Sequence, residues 1–430
     1  MPRTLAFVLA LALTAAPAGA QIDCSDPDNL CTGDPCVIPE IQPADPCTAD
    51  FGQRALVVEG LRDVGAVDFT AAGITLAGPV RGRAGMGGQL VLRSSGPIIV
   101  DAPIEFEDES SVELRATFDD VEVNAPIRLT GGDDTPLDSG LIVTGDRVTL
   151  DAPIKNVGGT DQIVIQASTI SIQARITSRR EGSGTPPPLA MAAEGVISIN
   201  GPLSIDGAID VASDFEIDVR RPIRMAGDHL SLFVDMGELN VEAPIKSTGR
   251  ANGSRCGAIR INSSRGPPVI DAPVVCAGRE GGDGITLRGT GVRVNDVMKT
   301  VSEDADGGDI VLEAPNGGDI VVTGSIVARG SQPGDVLVSG DNVRFEDASV
   351  KSSAKPGGGT QRFTAAAGDV SLEGTFVATK GGTIQATATG NVTTEGTFGV
   401  GAGGCIGLSA GGTVTTGSSM FDQPVVQSCP

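Results

Sequence analysis

Apolar and polar residues alternate along most of this chain in short runs, and one run returns repeatedly in nearly the same form. Val148-Thr-Leu-Asp-Ala-Pro-Ile154 is its type. Ile98-Ile-Val-Asp-Ala-Pro-Ile104, Val121-Glu-Val-Asn-Ala-Pro-Ile127, Leu239-Asn-Val-Glu-Ala-Pro-Ile245 and Pro268-Val-Ile-Asp-Ala-Pro-Val274 are close copies. Weaker versions fill the gaps, from Ile74–Val80 at one end to Val414–Met420 at the other. Fifteen copies close on an apolar residue between Val80 and Met420, at a mean step of about 24 residues. Self-similarity at that period predicts a solenoid.

A second run lies between copies of the first. Gly87-Gly-Gln-Leu-Val-Leu92, Gly307-Gly-Asp-Ile-Val-Leu312, Gly317-Gly-Asp-Ile-Val-Val322 and Gly403-Gly-Cys-Ile-Gly-Leu408 show its form. Strict alternation is the period of a half-buried strand, and no sustained helical period competes with it. Glycine pairs suit tight corners, and the Ala-Pro step favours an extended dipeptide whose missing donor is tolerated at a strand end. Each repeat therefore divides into two or three short strands, and equivalent strands of successive repeats pair in parallel. The predicted fold is a single-domain, right-handed parallel β-helix over residues 55–421. The leucine-rich horseshoe, the rival solenoid, lacks its leucine frame here.

The first residues change the compartment. Met1-Pro-Arg-Thr, an apolar run from Leu5 to Thr14 and Ala18-Gly-Ala20 form the pattern of a secretory leader over residues 1–20. No later run is long enough to span a bilayer. Eight cysteines outside the cytoplasm point to disulfides. Cys24, Cys31, Cys36 and Cys47 lie in an Asp- and Pro-rich stretch, residues 21–54, which predicts a disulfide-tied N-terminal cap; three pairings are open to them. Cys256 and Cys276 occupy consecutive repeats. Cys405 and Cys429 share a phase on adjacent repeats, which places them in bridging reach and predicts a tied C-terminal cap over residues 422–430.

Charge and composition narrow the function. The chain carries 31 basic and 54 acidic residues, a net charge of −23, which disfavours nucleic acid and anionic lipid as partners. With no Trp, no Tyr and 12 Phe, its core must come from Val, Ile, Leu and Ala, and aromatic platforms for sugars are lacking. His229 is the only histidine, so no multi-histidine metal site can form within one chain. Asp101, Asn124, Asp151, Glu242 and Asp271 share one phase and predict a column of acids along a corner, held there by a local turn role. The acidic loop Glu303-Asp-Ala-Asp306-Gly-Gly-Asp309 is the calcium candidate, with Asp133, Asp134 and Asp138 a weaker one. Arg179-Arg180 could contact an anionic polymer. Insertions at 131–139, 178–193, 248–255 and 301–306 share a phase, so they should decorate one edge of the rod.

The stretch Gly307–Met420, with Gly-Gly-Asp-Ile-Val-Leu, Gly368-Asp-Val-Ser-Leu-Glu-Gly-Thr-Phe and Gly411-Gly-Thr-Val-Thr-Thr, resembles the repeats of bacterial filamentous haemagglutinin-like adhesins. More broadly it is similar to pectin-lyase-like β-helices. The first resemblance implies export and attachment to surface glycans or other envelope components. The second implies a polysaccharide lyase or glycoside hydrolase. The residues favour a secreted structural or adhesive protein, extracellular or at the cell surface with the periplasm as alternative. No residue is assigned to catalysis and no cofactor beyond the calcium candidate is called for.

Overall fold

The computed structural model describes residues 24–429, apart from 84–86, 108–109, 132–139, 159–161, 181–186, 250–254, 305–306, 333, 355–357 and 380. The leader lies outside the described residues. The chain winds into an all-β parallel solenoid of about 16 turns, about 23 residues apart, with almost no helix. Each regular turn contributes to three ladders, named here A, B and C in chain order. In one turn these are Val121–Val123, Ile127–Thr130 and the first half of Gly140–Leu150.

The recurrent motif is the passage from ladder A to ladder B. Its apolar residues before the Asp or Asn belong to A, and its closing residue starts B. Val121 pairs with Ile98 below and Val148 above, and Ile127 with Ile104 and Ile154. At the corner between them the chain must bend without losing backbone partners. The amides of Asp101, Asn124, Asp151 and Glu242 each donate to the turn below at 2.9 Å. The alanine tucks inward, about 5% exposed at Ala102, Ala125 and Ala152. Proline supplies a carbonyl, as when Ile104 donates to Pro126 at 3.0 Å. Its missing N–H falls where the ladder is already interrupted.

Three features refine the expectation from sequence. Each turn has three strands. The ladders also begin before Ala55: Cys36–Ile38 pairs with Leu56–Val58, and Cys47–Asp50 with Val67–Thr70. Much of the stretch expected to be a cap is thus the first turn of the solenoid. Finally, the Gly-Gly-Asp signature marks a corner rather than one face. Ile310–Glu313, after Gly307, lies on ladder C, whereas Asp319–Val322, after Gly317, lies on ladder A. At Gly318 (φ +143°) a Cβ would collide with the Thr290 carbonyl of the turn below, so the corner requires glycine.

The core is a set of columns. Ile104, Ile127, Ile154, Ile176 and Leu203 stack with at most 1% exposure along the inner side of ladder B. The absence of aromatics expected from composition does not hold at the C-terminal end. Phe345, Phe363, Phe376 and Phe398 are fully buried, with Phe376 and Phe398 stacked 5.0 Å apart at an interplanar angle of 3°. Phe421 continues the stack at 5.2 Å. Phe376, Phe398 and Phe421 share a column on ladder B, and Phe345 from ladder A and Phe363 from ladder C meet Phe376 across the core at 5.6 Å.

All eight cysteines are bridged. The first four resolve into Cys24–Cys47 and Cys31–Cys36; the others pair as Cys256–Cys276 and Cys405–Cys429. Three of the four connect positions 20 to 24 residues apart, about one turn. Residues 422–430, expected as a cap, extend ladder C through Val425–Val426, which pairs with Ile406–Gly407.

Replacing Phe376 by Ala should lower the unfolding free energy by about 3–5 kcal/mol, measured from urea midpoints. Because turns contact only their neighbours, hydrogen exchange should accelerate around Phe345, Phe363 and Phe398 and stay unchanged in the N-terminal turns.

Candidate functional site

The corner between ladders A and B brings the predicted acid column together, but not as a stack of like charges. Asn124 lies between Asp101 and Asp151 and donates its Nδ2 to Asp101 Oδ1 at 2.9 Å. Asn295 follows Asp271 and donates at 2.6 Å, and the Thr323 hydroxyl continues the chain to Asn295 at 3.2 Å. On the turn before Glu242 the same place is held by Arg220, 3.9 Å from Glu242 and 2.6 Å from Asp218. Most of these carboxylates are therefore spaced by amide, hydroxyl and guanidinium groups, while Glu242 and Asp271 occupy adjacent turns. The expected bond from the Asx side chain to its own turn is replaced by bonds to the turn above or below.

A second column at the entrance to ladder A was not singled out from sequence. Asn342 donates to Asp319 at 2.7 Å and accepts from the Asp369 amide at 2.9 Å; Asp369 in turn accepts from the Asn391 amide at 2.6 Å. Thr413 closes the run, its amide and hydroxyl each 2.9 Å from Asn391 Oδ1. Five turns are thus linked through one side-chain position. The sequence contains the signal as Asp or Asn recurring just before an apolar strand, but the varying corner length hides it.

The calcium candidate does not gather its described carboxylates around one point. Asp304 is paired to Arg279 at 2.9 Å, and Asp309 accepts from the Asp335 amide at 2.8 Å. Asp306 lies outside the described residues, as do Asp133, Asp134 and Asp138. Among the described residues no group of three or more His, Cys, Asp or Glu side chains could hold a metal ion. His229 faces Asp210 at 3.1 Å on an exposed rung. Arg179 and Arg180 separate: Arg179 is exposed on ladder B, whereas the Arg180 amide donates to Asp206 at 3.2 Å.

Glu216 is the carboxyl whose environment is most distinctive. Partial burial holds its pKa above the ordinary 4.5, and the neighbouring carboxylates Asp218 and Glu238 push it further up against the opposing pull of Arg220. Asp218 itself is locked by Arg220 and by Asn240 Nδ2 at 3.3 Å.

The outer face of ladder B carries a different pattern. In the first turns its cations are matched by acids, Arg62 with Glu40 at 2.9 Å and Arg81 with Glu105 at 3.6 Å. From Ile127–Thr130 to Ser325–Gly330 the ladder B strands contain no acid, although Asp206 directly follows Leu203–Ile205 and accepts from the Arg180 amide. Arg128, Lys155 and Arg179 stand on three successive turns. Arg224 and Lys246 face each other on a later pair. Lys299, Arg329 and Lys351 occupy three more. Among the described residues none of these eight forms an ion pair, although on other faces arginines do so, Arg93 with Asp68 and Arg344 with Glu346 among them. The four predicted insertions fall in the chain between a ladder B strand and the next ladder C strand, and 132–139, 181–186, 250–254 and 305–306 of them lie outside the described residues. Near the C-terminal end, Lys299, Arg329 and Lys351 with Val301, Val327 and Val377 floor a groove of about 1080 Å³, flanked by Ser302, Glu303 and Asp304.

No family model, no curated protein and no solved structure matches the chain. Among the described residues no helix is long and apolar enough to cross a membrane.

The raised pKa of Glu216 means that its ionised form opposes folding. The position's contribution is intact below the ordinary value of 4.5 and is lost as pH rises through the folded value. Glu216→Gln should therefore stabilise the chain at neutral pH by about 0.5 kcal/mol after solvent screening. The gain should disappear near the acid end of a urea-midpoint titration.

Proposed function

We propose that the chain is a non-catalytic structural or adhesive rod that works outside the cytoplasm, displayed at a cell surface. The observation that carries this reading is the distribution of its polar chemistry. Carboxylates are spread along the corners and bonded turn to turn, whereas general acid–base work needs an acid and a base converging on one substrate bond. The four disulfides fit an oxidising compartment, and three of them staple neighbouring turns, which suits a part exposed to mechanical or proteolytic stress. A rod of about 16 turns is on the order of 75 Å long at about 4.8 Å per turn, which presents a long surface from a short chain.

A carbohydrate-active enzyme, lyase or hydrolase, is the second reading. Glu216 favours it, because a carboxyl whose pKa is raised by burial and by neighbouring Asp218 is the kind of group a general acid needs.

Protease shaving of intact producing cells should remove the chain from the surface fraction, detected with an antibody to residues 24–429. Protection in intact cells combined with release on opening the outer envelope would count against display. Incubation with a polysaccharide panel should leave chain lengths unchanged by size-exclusion chromatography. Cleavage that Glu216→Gln abolishes would move the protein to the second reading.

A further inference from the structure

The cations of ladder B are placed against the electrostatic grain of the molecule. Acids outnumber bases by 54 to 31, and many arginines on other faces are paired, although Arg293 on ladder A and Arg362 on ladder C form no ion pair among the described residues. Most other faces, and the first turns of this one, show such pairs. Over the ten turns from Ile127 to Val350, ladder B instead keeps acids off its strands and leaves eight cations unpaired among the described residues. The register aligns them in two adjoining columns: Arg128, Lys155, Arg224, Lys246, Lys299 and Lys351 in one, Arg179 and Arg329 in the other. The track is about 43 Å long at about 4.8 Å per turn.

We infer that this face is a docking track for a linear polysaccharide bearing carboxylate or sulfate groups, laid along the rod axis. The inference deepens the adhesive reading and rests on it only for its biological setting. Eight cations in two adjoining columns along ten turns fit a single chain that carries charges along its length, and each contact releases a counterion. Val301, Val327 and Val377 floor the groove between the cations, which suits the C–H faces of sugar rings. A nucleic acid strand would find no stacking platform on this face, which carries no Trp, Tyr or exposed Phe beside the cations. A flat anionic bilayer would meet the bordering corner acids, such as Asp151 and Glu242, as well as the track. The rest of the acidic surface repels the polymer, so binding is confined to the face where cations outnumber the acids beside them, Asp206 next to Arg180 and Glu303, Asp304 and Asp422 at the groove.

The test uses the secreted full chain, with polyguluronate and dextran sulfate as the carboxylate and sulfate probes and neutral dextran and poly(dT) as comparisons. Binding is measured by biolayer interferometry across a salt series. A triple variant, Lys155→Ser, Lys246→Ser and Lys351→Ser, removes three cations from outward positions where other turns already carry Thr177 or Ser204. A control variant, Arg62→Ser, Arg115→Ser and Arg344→Ser, removes the same charge from paired sites elsewhere. One or both anionic polysaccharides should bind, and neutral dextran should not. The triple variant should lose about tenfold or more in affinity and flatten the log–log salt slope by about two to three, while the control changes affinity less than about twofold. Unchanged circular dichroism and melting would show that both variants remain folded.

Equal losses in the two variants, no binding of either polyanion at low salt, or tighter binding of poly(dT) would each overturn the inference. Surface display without polyanion binding would sink the track and leave the adhesive reading standing. Binding by a chain that is never displayed would do the reverse.

Discussion

Every part of this structure depends on the parallel, in-register stacking of successive turns through their backbone hydrogen bonds. Once Ile127 sits over Ile104 and under Ile154, every other residue of those turns has its neighbours assigned as well. A side-chain position becomes a column, and the chemistry of the column is decided by what its members do to one another at about 4.8 Å. Apolar columns bury themselves, as the isoleucines of ladder B do. Phenylalanines can share one column, as Phe376, Phe398 and Phe421 do on ladder B. Charged columns face repulsion, and this constraint organises the surface.

The molecule resolves that repulsion in two ways. At the corners, carboxylates are interleaved with groups that donate to them: Asn124 to Asp101, Asn342 to Asp319, Asn391 to Asp369. These bonds couple neighbouring turns as well as removing the like-charge penalty. On ladder B past Ile127 the solution is different. Cations stand on most turns with Thr177, Ser204 and Val275 between them, and among the described residues none of the eight is paired with a carboxylate. A structural column would be expected to neutralise itself as the corners do. That contrast, rather than the number of cations, sets this face apart.

The same stacking explains where irregularity is allowed. A loop inserted between ladders B and C leaves all three registers intact provided that it returns to the same point. Where the returning segment is described, a small buried polar residue on the inner side of ladder B holds it: the Thr300 hydroxyl donates to the Gly308 carbonyl at 2.6 Å, and Ser352 to that of Gly359 at 3.4 Å. The Thr300 and Ser352 hydroxyls thus find partners in the returning backbone, whereas the buried Ser178 and Ser247 hydroxyls at the same position make no hydrogen bond among the described residues.

The sequence by itself determined the fold. Apolar spacing, the Asp-Ala-Pro corner and the repeat period are local properties, and they specify strand, bend and stacking without reference to distant residues. The fifteen closing residues from Val80 to Met420 all fall on ladder B for that reason. Tertiary structure alone decided which residues share a column. Turn lengths vary, so sequence spacing does not reveal that Asn391 meets Asp369, that Arg220 breaks the acid column beside Glu242, or that Phe345 and Phe363 converge. Nor does it reveal that Gly307 and Gly317, with nearly the same signature, open strands on different faces. The basic track was illegible for the same reason: Lys155 and Lys351 are far apart in an acidic chain. Only the winding, which converts distance along the chain into position along one face, brings them into line.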